Sequence, residues 1–131
     1  MNRSKILLIF LIFSMPILAQ KNQDIASMPM LRALQSGDFE PIAPFMNDRL
    51  EINLPDEDSN VFSKNQAKAI LSDYFKKNKM IFAGFQKKTV QKDLQTLTYI
   101  SKMLNKTFTI FVVVKKNKII KIKIDIEDVQ Y

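Results

Sequence analysis

Ser63-Lys64-Asn65-Gln66-Ala67-Lys68-Ala69-Ile70-Leu71-Ser72-Asp73-Tyr74-Phe75-Lys76-Lys77 is the stretch on which the fold turns. Ser63 precedes Gln66 by three residues. That spacing forms a capping box, in which each residue satisfies an orphan backbone N–H of the other's turn. Ala67, Ile70, Leu71, Tyr74 and Phe75 then fall at i, i+3, i+4, i+7 and i+8, which gives one apolar stripe on a helix. Lys76 and Lys77 lie in the last turn, at the negative end of the macrodipole, and Asn78 is a stop.

After this helix the apolar period changes from helical to two. Strands are predicted over Met80–Thr89, Leu94–Leu104, Thr107–Val114 and Ile119–Val129, with turns at Asn105-Lys106 and Lys115–Lys118. Thr107–Val114 is apolar or β-branched on both faces, the mark of a central strand. In the last strand Ile120, Ile122, Ile124 and Ile126 are expected on one face, opposite Lys121, Lys123 and Asp125.

Before the helix, Met28–Ser36 reads as a short helix. Ser27 is its N-cap, Pro29 lies in its first turn, and Gly37 closes it. Met30, Leu31 and Leu34 share one face. Asp38 caps a shorter turn, Phe39–Ala43, which Pro44 stops. Leu50–Leu54 alternates as a strand, Pro55–Asn60 is a loop, and Val61-Phe62 is a short partner strand. Helices first and consecutive hairpins after them make an α+β protein with an antiparallel sheet.

Composition narrows the chemistry. The chain has 131 residues, room for one domain. Cys is 0 and His is 0, which removes disulfides, thiolate nucleophiles, the usual general base and the commonest metal ligands. Gly is 2, too few for a phosphate-cradling glycine loop. No cofactor and no metal site is expected, and no enzymatic activity either.

Residues 1–19 carry a targeting pattern. Arg3 and Lys5 precede the apolar run Ile6–Phe13, and Ala19 is a small residue suited to cleavage. The run is short for a membrane span, which takes roughly 20 residues. No Cys follows it to carry a lipoprotein anchor. The expectation is a cleavable signal peptide, export to the periplasm or cell exterior, and a mature domain of residues 20–131 without a permanent membrane anchor. An exported domain with no Cys suits a bacterial envelope better than a disulfide-stapled secreted domain.

The Ala33-Leu34-Gln35-Ser36-Gly37-Asp38 segment, Phe45–Leu54, Phe62-Ser63-Lys64-Asn65-Gln66-Ala67 and Ile70-Leu71-Ser72-Asp73-Tyr74-Phe75 together resemble a small exported bacterial family. This is the family called domain of unknown function 4783, and the likeness runs over about residues 28–131. It implies the cone-shaped fold of nuclear-transport-factor-2-like and cystatin-like proteins, with N-terminal helices packed on a curved antiparallel sheet. It implies no catalytic residue. Gly84 is the only glycine after Gly37, where a glycine-bearing turn would be expected of such proteins.

Two sets of residues are candidates for binding. Tyr74, Tyr99, Phe45, Phe62, Phe85, Phe108 and Phe111 could line a pocket between helix and sheet, with the two phenols as polar tips. The plain alternative is an aromatic core. Lys115, Lys116, Lys118, Lys121 and Lys123 could form a face for an anionic envelope component. The plain alternative is lysines that keep the sheet soluble and its edges unpaired. This face follows a charge division along the chain. Residues 20–63 hold 8 acidic and 3 basic side chains, and residues 64–131 hold 5 acidic and 15 basic. Asp56-Glu57-Asp58 reads as a solvated turn that lacks the alternation and distal Glu of a calcium loop. The sequence therefore points to a non-catalytic binding or interaction module of the envelope. The alternative is a small-molecule-pocket protein of the same fold with weak hydrolase or isomerase activity. Export and the absence of an RNA-binding aromatic motif argue against nucleic acid. Lysines on the outer sheet face favour a monomer or weak dimer, because like charges would meet across a symmetric interface.

Overall fold

A computed structural model describes residues 27–103 and 105–128 of the chain. The expected signal peptide, residues 1–19, lies outside the described residues. Helix α1 is Ser27–Ser36, followed by a 3₁₀ segment, Glu40–Phe45. Strands β1 (Met46–Asn53) and β2 (Asn60–Ser63) lead into helix α2 (Lys64–Asn78). Four strands complete the fold: β3 (Ile81–Gln91), β4 (Leu94–Met103), β5 (Lys106–Lys115) and β6 (Lys118–Asp128).

The helix ends follow from their sequence. The Gln66 N–H donates to Ser63 Oγ at 3.3 Å, and the Ser63 N–H donates to Gln66 Oε1 at 3.2 Å. The capping box is thus closed in both directions. At the other end of α2, Lys79 takes left-handed angles, φ 50° and ψ 47°, a conformation better suited to Gly. Gly37 ends α1 at φ 75°, and its N–H donates to Ala33 O at 2.8 Å. The Asp38 carboxylate then accepts from the Glu40 N–H at 3.1 Å and starts the 3₁₀ turn. That turn runs through Pro44 to Phe45, past the stop the sequence suggests.

All six strands form one open sheet in the order β2-β1-β6-β5-β4-β3. The four C-terminal strands are the expected antiparallel meander, with β5 inside it. The expectation of a wholly antiparallel sheet needs one correction: β1 pairs with β6 in parallel, through Glu51↔Lys121, Ile52↔Ile122 and Asn53↔Lys123. The last strand thereby returns beside the first, a non-local closure that no local sequence signal announces.

The isoleucine alternation of β6 is also corrected. A bulge between Val113 and Val114 leaves Ile120 opposite no partner, so the pleat slips by one. Ile119, Ile122 and Ile124 are buried, while Ile120 is only half-buried.

The core lies between the helices and the inner sheet face. Met30 and Leu34 of α1, Ile42 of the 3₁₀ turn, and Ala67, Leu71 and Phe75 of α2 pack on Leu50, Ile52, Phe108, Ile110, Val112 and Ile122. Phe39 meets Phe75 edge-on at 5.1 Å between ring centres. The edge strand β3 reaches beyond this core, leaving Ile81 72% and Phe85 51% exposed. Two irregularities, between Phe82 and Gly84 and between Phe85 and Lys87, break its pairing with β4 and blunt the free edge.

Candidate functional site

A cleft of about 700 Å³ opens at the end of the sheet where α2 finishes. The volume suits a small molecule. Its walls come from three places. Ile52 and Leu54 of β1 and its exit, with Phe62 of β2, form one apolar side, and Ile70 and Tyr74 of α2 form another. Ile126, near the end of β6, completes the apolar lining. These residues belong to the partly buried layer around the core or to the core itself, so the floor of the cleft is continuous with it. The helical spacing explains the α2 contribution. Leu71 and Phe75 turn fully inward, and Ile70 and Tyr74 stand one position to the side, half-buried at the margin of the stripe.

Among the described residues, four of the six charged side chains in the lining are acidic. Asp56, Glu57 and Asp58 come from the loop between β1 and β2, and Asp73 from α2. Lys77, Lys106, Asn60 and Asn78 also line the cleft. Asp56 holds φ 62°, a left-handed turn position that Asp tolerates better than most residues. The Tyr74 phenol feels this loop. Burial raises its pKa above the ordinary 10.0, and the Asp56 and Glu57 charges raise it further. Tyr74 is therefore a neutral hydroxyl that faces carboxylates. Its ring stands edge-on to Phe108 at 6.5 Å, which fixes its place against the sheet. The Asn78 side-chain amide donates to Tyr74 O at 2.9 Å and closes the last turn beneath it.

Of the aromatic residues singled out from sequence, the structure brings Tyr74 and Phe62 together in the cleft. Phe108 stands behind Tyr74 with no exposure. Tyr99 is 1% exposed in the core, in ring contact with Phe82 and Phe85. Phe85 is on the protruding edge strand, Phe45 packs against the core at the end of the 3₁₀ turn, and Phe111 is half-buried in β5, on the face opposite Phe108 and Ile110. The sequence alone reads Asp56-Glu57-Asp58 as a solvated turn and does not connect it with Tyr74. The available signal is its position: the acidic loop directly follows the buried end of β1.

The lysine set is divided. Lys121 pairs with Glu51 at 2.9 Å across the parallel β1–β6 junction. That contact, followed by a hydrogen bond from Ser59, holds the Glu51 carboxyl below its ordinary 4.5. Lys123 approaches Asp125 at 3.9 Å, and Lys118 Nζ donates to Pro44 O at 2.8 Å. Lys115 and Lys116 are exposed at the β5–β6 turn, where Lys116 and Asn117 both have positive φ, as a type I′ hairpin requires. Among the described residues no helix is long and apolar enough to cross a membrane.

The model of the family described as domain of unknown function (DUF4783) matches residues 29–130. No curated protein matches the chain. Among solved structures, a DUF4783 family protein from Bacteroides ovatus superposes with a TM-score of 0.69 at 20% identity, covering 84% of this chain and 100% of its own. A DUF4783 family protein from Bacteroides uniformis gives 0.67 at 17% identity, covering 78% and 97%. A putative polyketide cyclase from Sinorhizobium meliloti gives 0.55 at 10% identity, covering 74% and 90%. An NTF2-like protein of unknown function and a protein with a cystatin-like fold are also similar. At these identities the likeness establishes the fold alone.

Proposed function

The chain belongs to the DUF4783 family, and from that premise we propose that it is an exported, non-catalytic binding module whose ligand seat is the cleft at the end of α2. One observation carries this reading: an opening of about 700 Å³ with an apolar floor of Ile52, Phe62, Ile70 and Ile126 and the Tyr74 phenol at its wall. Apolar surface with a few polar tips is the ordinary make-up of a small-molecule seat. Three of the five lysines of the alternative face already have partners within the protein, so the cleft is the better candidate. Binding rather than turnover is favoured by the setting of the acids. Asp56, Glu57, Asp58 and Asp73 are all exposed, so none has the dry surroundings that tune a carboxylate for acid–base work. The sequence offers no His or Cys in their place. The polyketide cyclase-like neighbours share the architecture without supplying a catalytic set here. The N-terminal targeting pattern supports an envelope location for the domain.

A thermal-shift screen of small metabolites tests the reading, run on the protein and on Ile70→Trp, which fills the cleft from α2. Compounds that stabilise the protein and lose that effect in Ile70→Trp are expected. Stabilisation that persists in Ile70→Trp would place the ligand elsewhere and refute the assignment.

A further inference from the structure

We infer that the cleft seats an amphipathic organic cation: an amine whose apolar body lies on Ile52, Phe62, Ile70 and Ile126 and whose charge meets the Asp56–Asp58 loop beside the Tyr74 ring. This inference rests on the cleft reading and adds the class of ligand. The chain as a whole is strongly basic, +7, yet among the described residues the cleft is lined by four carboxylates and two ammonium groups. The local field is therefore opposite to that of the rest of the molecule. Among the described residues, none of Asp56, Glu57, Asp58 or Asp73 belongs to an ion pair within the protein.

The two lysines do not cancel this charge where it matters. Lys77 follows Asp73 by one helical turn, so those two offset each other on α2. Lys106 opens β5, and β6 lies between β5 and β1. It therefore stands about two strand spacings, ~10 Å, from the strand that launches the acidic loop. The loop pole keeps three carboxylates against an aromatic wall.

The geometry also separates an organic cation from a metal ion. Among the described residues no three carboxylates converge to hold a metal. The charge is spread along a rim, beside apolar surface that a hydrated metal ion could not use. An ammonium group can meet one or two rim carboxylates, share the face of the Tyr74 ring, and bury its hydrocarbon body below. Neutral Tyr74 adds a hydroxyl without adding a like charge.

The test uses the full chain and three matched probes: 2-phenylethylamine, 2-phenylethanol and 3-phenylpropanoate. Protein-observed NMR titration gives both the affinity and the place of binding. The amine is expected to bind at the cleft about tenfold more tightly than the alcohol at low salt, with the advantage shrinking as salt rises. The propanoate is expected to be weakest. In Asp56→Asn/Glu57→Gln, the amine-to-alcohol ratio should fall to about twofold or less while the alcohol is unchanged. These positions are exposed, and Asn accepts the left-handed angle of residue 56. Equal binding of amine and alcohol in the cleft would overturn the cation assignment and leave the cleft reading standing. So would tightest binding by the propanoate. If none of the three probes perturbs cleft residues, the cation assignment also falls, and the screen against Ile70→Trp separately decides the cleft.

Discussion

Replacing Leu71 by Ala probes the joint between the helix that builds the cleft wall and the sheet beneath it. Leu71 has no exposure and sits in the core cluster with Ala67, Phe75 and Leu50. Truncation removes three carbons, worth about 2.4 kcal/mol at ~0.8 kcal/mol per buried methylene. The site is walled by other buried side chains, so it collapses only partly. A residual cavity on the order of 50 Å³ adds about 1.2 kcal/mol at ~24 cal/mol per Å³. The expected loss is thus about 3–4 kcal/mol. Ile70 is the internal comparison. It neighbours Leu71 in sequence but stands half-buried in the open cleft. Ile70→Ala leaves no enclosed void and should cost about 1–1.5 kcal/mol. Urea unfolding of both variants, read at constant m-value, gives the two numbers. Equal losses, or a larger loss at Ile70, would refute the orientation of α2 and with it the construction of the cleft.

Other outcomes follow from single residues. Residue 79 holds left-handed angles that glycine adopts without strain. Lys79→Gly should therefore raise stability by about 0.5–1 kcal/mol, and urea midpoints will show it. The Glu51 carboxyl lies below its ordinary 4.5 in the folded protein, so its stabilisation is present above pH 4.5 and is lost as pH falls further. The Lys121–Glu51 pair is more than a third exposed on both sides, so solvent screens most of its energy. Glu51→Gln should flatten the acid limb of the stability–pH curve by about 0.5 kcal/mol. The Tyr74 phenol titrates above its ordinary 10.0, so the protonated form is favoured in the fold and the linked stability declines only as pH rises above 10. Absorbance titration, with Tyr74→Phe subtracted, should show its pKa move partway down in Asp56→Asn/Glu57→Gln, since burial remains.

Much of this architecture was legible because its causes are local. Ser63 and Gln66 cap each other within one turn, and the apolar stripe from Ala67 to Phe75 has only one helical face to occupy. Gly37 ends α1 by the same kind of short-range rule. The meander was legible because turns at Asn105-Lys106 and Lys115–Lys118 join strands of period two. The parallel pairing of β1 with β6 was not. It joins Glu51 to Lys121 across most of the domain, and either strand's alternation would also suit an antiparallel neighbour. The misplacement of Ile120 has a similar origin: one bulge residue changes the facing of Ile119 and Ile120 while Ile122 and Ile124 keep the predicted face, and four isoleucines in strict alternation conceal it. At the candidate site, aromatic residue type was a poor guide. Tyr99 and Phe108 serve the core, while Tyr74 and Phe62 reach the cleft, and only the end of the sheet decides between them. The acidic loop reads as a solvated turn until β1 places it over Tyr74.

The claim on which the account depends is that ligand binds between the Tyr74 side of α2 and the loop after β1. Chemical-shift mapping of a small-molecule library on isotope-labelled protein tests it most directly. Binders are expected to perturb Ile52, Phe62, Ile70, Tyr74 and Ile126 as one contiguous set. Perturbations gathered instead around Lys115, Lys116 and Lys123, with these cleft residues silent, would contradict it.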